Sequence, residues 1–422
     1  MSTYAKSKLG NGPKMSKGLK IWLAFILIIT AIGGYFIIER LIVGLDTTNL
    51  SSITPWGAWI AFYIFFVGLS AGSFLLSSLI YVFGMHQYER VGKMALFTAV
   101  VCMMVALIFV LMDLGRPERF INAMVFWNVL SVLAWEIHFY VVYITLLVVE
   151  LWIAMRADLV RLRPSNTLKG KVARLLTFKN SKVNEETAAR DHKWLKVLGI
   201  IGIPLAILGV HGGTGALFAV VGAREMWNSG VFPIIFVVSA MVSGTALLLA
   251  IYIIKSKVTK TPIDKSMVVS LAKMMVAFLF IDLLLQFYEY LVGVYQLDSV
   301  GLQGLATQMG SAYSWSFWGV QMGLGALVPI IIVFNKKTGE SINWLLFSAI
   351  LVVIGIIGVR FNIVVPSQIV PVFPGFPEGN YYPTFNEWMV SIGIAGIGLL
   401  MFTAGDQLLP LEESPEASEK EE

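Results

Sequence analysis

PWGAWIAFYIFFVGLSAGSFLLSSLIYVF, residues 55–83, runs its whole length without a charged side chain. About 20 consecutive apolar residues cross the hydrocarbon of a bilayer, and a helix that is apolar on every face does not suit a water-facing surface. This segment therefore marks a membrane protein. Runs of the same kind lie near 19–43, 91–113, 128–153, 194–220, 231–254, 267–295, 312–334, 342–364 and 386–409. Ten spans of about 20 residues use close to half of the 422 residues and leave no room for a large water-soluble domain. Composition agrees, since 14% of residues are charged against about 25% in soluble domains. The expected fold class is an all-α integral membrane protein of about ten transmembrane helices.

Charge tests this layout. With the N-terminus in the cytoplasm, 26 of the 31 Lys and Arg residues fall on the cytoplasmic side, and Arg40, Arg116, Arg119, Arg224 and Arg360 fall toward the outside. That asymmetry is the positive-inside pattern of a cell (inner) membrane protein with both termini cytoplasmic. The net charge of +5 thus reports topology and gives no footprint for nucleic acid. The first apolar run is long and no small-residue cleavage pattern follows it, so it is expected to stay as an anchor and not to act as a secretory signal.

The layout is then a cytoplasmic N-terminus (1–18), a peripheral first helix (19–54), a block of four helices (55–220) holding the basic cytoplasmic loop 156–193, a second block of four (231–364), an outer Pro-rich loop (365–385), a last helix (386–409) and an acidic tail (410–422). The prolines between Arg360 and Glu387 deny that loop regular structure while limiting its flexibility, which suits a fixed lid.

Ionisable side chains inside spans are costly and mark function by default. Glu136, Tyr140 and Tyr143 share one face of the fourth helix at i, i+4, i+7, with Glu136 roughly 12 Å inside the outer end. Asp282, Gln286 and Glu289 repeat that spacing in the seventh, and two acids on one stripe favour a proton route. A structural polar pair is the alternative at both places. His211 is followed by GGTG, which permits either a broken helix or tight packing. At the outer end of the third helix stands MDLGRPERF (112–120), where Arg116 and Arg119 either neutralise Asp113 and Glu118 or meet an anionic ligand or partner. GLSAGS (68–73) suits close packing of small residues. The single cysteine, Cys102, excludes a four-thiolate cluster built by this chain alone.

Five stretches together carry a resemblance: WGAWIAFYIFFVGLSAGSF (56–74), DLGRPERF (113–120), NVLSVLAWE (128–136), GIPLAI (202–207) and RFN (360–362) with the Pro-rich loop after it. They resemble the NrfD/PsrC-type polysulfide reductase membrane subunits, and the ten-span layout is closest to the HybB/DsrP-like branch. The resemblance covers about residues 50–410. It implies two four-helix bundles, helices two to five and six to nine, and a quinone (menaquinone or ubiquinone) as substrate, with no haem or iron–sulfur cluster in this chain. It also implies a quinone site on the outer side of the first bundle, beside a docked iron–sulfur ferredoxin-like subunit. A further catalytic subunit of molybdopterin, hydrogenase or cytochrome c type completes such complexes. Carried over, the acid of the fourth helix is Glu136, and the outer-turn residues are Asp113 and Arg116.

Quinone chemistry exchanges two electrons and two protons, so Glu136 and Asp113 are the candidate proton-handling groups. Tyr63, Arg116, Tyr140 and His211 are the candidate ligand contacts, and Asp282, Gln286 and Glu289 a candidate proton path for translocation. No group here can take the electrons, as the chain has one cysteine and no GxGxxG opening a helix after a strand. Two other readings stay open on the residues alone: a haem b held by His138 and His211 at similar depth, and a secondary transporter centred on Asp282.

Overall fold

Inside a bilayer no water can satisfy a backbone N–H or C=O, so apolar runs must close their bonds within helices. Among the described residues every regular element is helical. The structure is a computed structural model that describes residues 16–177, 182–295, 299–373 and 375–411. Most of the expected N-terminal segment and of the acidic tail lies outside the described residues, as do Lys179 and Pro374.

Among the described residues ten helices are long and apolar enough to cross a membrane: α1 Lys17–Val43, α2 Ala58–Tyr81, α3 Glu89–Asp113, α4 Val132–Leu162, α5 Glu185–Ala219, α6 Phe232–Thr259, α7 Lys265–Tyr295, α8 Trp315–Phe334, α9 Ile342–Ile369 and α10 Phe385–Leu408. Each overlaps an expected span. The ends differ where polar side chains decide them. α4 starts at Val132 and not at 128, because Ser131 accepts from the Ala134 amide and Asn128 Oδ1 from the Leu130 amide, the local bonds that favour a cap over a helical turn. Glu136 therefore lies one turn, not two, inside that end.

The stretch 156–193 is largely helical and not a loop. α4 continues to Leu162, Leu168–Leu176 forms a short amphipathic helix, and α5 begins at Glu185 behind a capping box of Asn184 and Thr187. Hydropathy ends too early here because the charges are paired. Arg156 Nε lies 2.5 Å from Asp191, and Lys93 Nζ of α3 lies 2.6 Å from Asp158. In the Pro-rich segment Pro366 opens one helical turn, Pro366–Ile369, since proline at the first helical position loses no bond.

α2 is the hub, packing against α3, α5, α6 and α9. Its approach to α6 depends on Gly72, where an added Cβ would stand 1.9 Å from the Ala240 carbonyl oxygen. α1 pairs with α10, which leans on α3; Gly33 and Gly393 meet at their crossing, where a Cβ at Gly33 would lie 2.1 Å from Gly393 Cα. The last turn of α9 and the segment after it are stitched onto the start of α2. Gln368 exchanges two hydrogen bonds with the Trp56 backbone (3.1 and 2.8 Å), and Tyr381 accepts from the Ala58 amide (2.7 Å) while donating to Glu387. Burial, with the Glu387 carboxylate beside it, pushes the Tyr381 phenol pKa up and keeps it a donor.

Candidate functional site

The inward face of α4 presents Glu136, Tyr140 and Tyr143, all buried. Tyr140 is the junction of a cluster drawn from three helices. Its hydroxyl donates to Glu136 Oε1 at 2.6 Å, pairs with Thr214 Oγ1 of α5 at 2.9 Å, and makes a short bond with the Tyr63 hydroxyl of α2. Thr214 also reaches back to the Val210 carbonyl at 2.8 Å. The other Glu136 oxygen, Oε2, is buried without a partner. A carboxyl joined to three hydroxyls can exchange a proton by reversing donor and acceptor along the chain, without displacing a heavy atom.

Thr214 reaches this cluster because α5 is irregular. Pro204 has no N–H to donate, and the backbone widens into π-helical turns over Leu205–His211 before Gly212 resumes the α form. Such insertions turn the following residues and gather at functional sites. In HGGTG the glycines are the visible signal, and the threonine between them is not a candidate on sequence alone.

His211 does not join Tyr140. Its Nε2 lies 3.3 Å from Arg360 Nη2, and its Nδ1 is buried without a partner. Arg360 of α9, an outer cation by charge sorting, is wholly buried. It donates to Ser239 of α6 at 3.0 Å and stands over the Phe236 ring at 4.5 Å, with Nε and Nη1 unbonded. His138 has other partners, the Ala134 carbonyl (2.7 Å) and the Trp127 ring.

The α7 stripe divides. Gln286 donates to Asp282 Oδ2 at 2.6 Å, but its own carbonyl accepts from Gln321 of α8 (2.8 Å), whose carbonyl accepts from Asn362 of α9 (2.7 Å). Glu289 is bonded instead to Ser229, at 2.8 Å. Gln286, Glu289, Gln321 and Asn362 line a cavity of about 480 Å³. Asp282 sits one hydrogen bond behind that wall, with Oδ1 unpartnered. Gln321 and Asn362 are uncharged and carry no spacing signal in the sequence; the only sign of Asn362 is its place in RFN.

At the turn after α3, Arg40 caps the helix end, donating to the Met112 and Leu114 carbonyls at 2.7 and 2.6 Å. Arg224 likewise holds the Ser367 and Val370 carbonyls at 3.0 and 2.8 Å. Arg40 and Arg224, two of the five cations that charge sorting expects outside, are thus engaged with backbone carbonyls, whereas Arg116 and Arg119 are exposed. Asp113 Oδ1 is buried without a hydrogen bond.

The profile of the family described as "Polysulphide reductase, NrfD" matches residues 46–372. The chain is 40% identical to a subunit of the selenate reductase of Mesobacillus selenatarsenatis, over 92% of its own length and 93% of the relative. It is 29% identical to the Hdr-like menaquinol oxidoreductase integral membrane subunit of Archaeoglobus fulgidus, covering 91% of each. It is 25% identical to the menaquinone reductase integral membrane subunit of Nitratidesulfovibrio vulgaris, over 93% of this chain and 91% of that one. A profile match across most of the ten helices, joined to a 40% identical relative along nearly the whole chain, places this protein in the NrfD polysulphide reductase family.

Proposed function

We propose that this chain is the quinone-interacting membrane subunit of a multisubunit oxidoreductase of the cell membrane. The carrying observation is the Glu136–Tyr140–Tyr63–Thr214 cluster, buried one turn inside the end of α4 that lies away from the basic segment. Glu136 Oε2, free of any bond in the protein, is the atom available to a ring oxygen, and Tyr140 and Tyr63 are the hydroxyls that pass its proton on. The names of two relatives, a menaquinol oxidoreductase subunit and a menaquinone reductase subunit, favour menaquinone over ubiquinone.

In this reading the basic face and both termini are cytoplasmic, and helices two to five and six to nine are two bundles joined through the packing of α2 on α6 and α9. Electrons pass to or from an iron–sulfur ferredoxin-like subunit on the outer face, where Arg116 and Arg119 are exposed to meet it. A further catalytic subunit lies beyond it. Asp113 and His211 bound the same outer region, and the Asp282–Gln286 pair behind the cavity serves proton movement.

Replacing Glu136 with Gln keeps shape and hydrogen bonding while removing the titratable proton. The complex should assemble, and quinone-linked turnover should fall about 10²–10⁴-fold, the range for a lost acid–base group. Unchanged turnover in an assembled Glu136→Gln complex excludes the role.

A further inference from the structure

Glu150 has no task in the scheme above. It lies on α4 at 0% exposure, and neither carboxyl oxygen has a hydrogen-bond partner. Other charges on the same helix are held, Arg156 with Asp191 and Asp158 with Lys93. An unbonded carboxyl buried at membrane depth works against folding, so packing does not account for it; leucine would fill the place at less cost.

Its position does account for it. Glu136, Tyr140, Tyr143, Leu147 and Glu150 follow one another at four- and three-residue steps and form one buried face of α4. Fourteen residues of helix put the two acids roughly 21 Å apart along the axis, a large part of the ~30 Å hydrocarbon thickness. Between them the Tyr143 hydroxyl lies 3.4 Å from Ser70 of α2. α2 carries Tyr63, Ser70 and Ser77 at seven-residue steps, all buried, and the buried Ser73 hydroxyl is unbonded. Beyond Glu150 the same helix reaches the Lys93–Asp158 pair on the basic side.

We propose that Glu150 is the inner relay of a proton path between α2 and α4, joining the basic face to Glu136. The proposal rests on the quinone reading above and is separate from the Asp282 chain, whose cavity is lined by residues of the α5–α6 connection, away from the basic segment. When quinone is reduced, the outer partner supplies two electrons and the path two protons, Q + 2e⁻ + 2H⁺ → QH₂. Each proton passes from Glu150 across the Leu147 turn on water to Tyr143 and Ser70, then to Tyr140 and Glu136; quinol oxidation runs the path in reverse. Electrons and protons enter from opposite faces, so each turnover moves charge across the membrane.

The test uses the whole complex in liposomes, with menaquinone-4 in the bilayer, dithionite-reduced methyl viologen outside as donor and pyranine trapped within. Only complexes whose outer face points outward react, so the lumen stands for the cytoplasm. Wild type should alkalinise the lumen as quinone is reduced. Glu150→Gln should lower that luminal uptake by at least about tenfold, as for a lost proton-transfer group, and Glu150→Asp should retain part of it. Wild-type luminal uptake in Glu150→Gln, or uptake by wild type from the outer medium alone, overturns the proposal. Should Glu150→Gln not assemble, infrared difference spectra on reduction decide: a protonated-carboxyl band that shifts in Glu150→Asp supports the relay, and an unshifted one overturns it. The menaquinone absorbance separates the two levels, because no viologen-driven reduction in wild type means that the quinone reading itself has failed.

Discussion

Tyr140 shows how much one hydroxyl can carry in a membrane interior. It contacts Glu136, Tyr63 and Thr214, and each of those oxygens is too deep to find water in its place. Replacing Tyr140 with Phe leaves buried acceptors unpaired at about 1–3 kcal/mol, so the complex should melt lower. If the hydroxyl also relays a proton, quinone-linked turnover falls too. A loss of about 1.4 kcal/mol in the transition state is tenfold in rate, and steady-state assays on assembled Tyr140→Phe should show at least that. Wild-type turnover with a lowered melting point would assign Tyr140 to stability alone. The sequence placed Glu136 and Tyr140 on one face by their i, i+4 spacing, but Thr214 needed the π-helical turns after Pro204, which periodicity assumes away.

At the scale of elements, α7 is a helix whose polar residues have two destinations. Asp282 and Gln286 join Gln321 and Asn362 across α8 and α9, and Glu289 turns to Ser229. The stripe read from spacing therefore branches, from Asp282 and Gln286 across to α8 and α9, with Glu289 bonded to Ser229 on the wall of the same cavity. Replacing Asp282 with Asn should leave quinone-linked electron transfer in detergent largely intact while reducing proton movement in sealed vesicles. A parallel fall of both would put Asp282 in the redox site or its scaffold, and no change in either would make it a structural pair with Gln286. The same helix-to-helix view explains Arg40, a cation at the C-terminal carbonyls of α3, where the helix dipole favours positive charge.

For the whole molecule the test is topological. Cys102 is buried and need not be removed. In intact cells an impermeant thiol reagent should label Glu118→Cys and spare Asn166→Cys, both of them exposed positions; the reverse pattern would invert the orientation. The ten spans were legible because lipid solvates each residue where it stands, so burial cost adds along the chain and a run of apolar residues is its own signal. The orientation expected from charge sorting rests on a local effect of the same kind, since each loop meets the membrane field separately. Side-chain partners were not. Whether Arg360 faces the outside or lies between His211 and Ser239 depends on the rotation and depth of α9 against α5 and α6. Helix placement of that kind is set by close approaches between residues far apart in the chain, such as Gly355 of α9 on Gly325 of α8 and Gly72 of α2 on Ala240 of α6, and one-dimensional periodicity carries no term for them. Composition and charge thus determined a ten-helix membrane protein by themselves, and helix packing alone decided which polar groups meet.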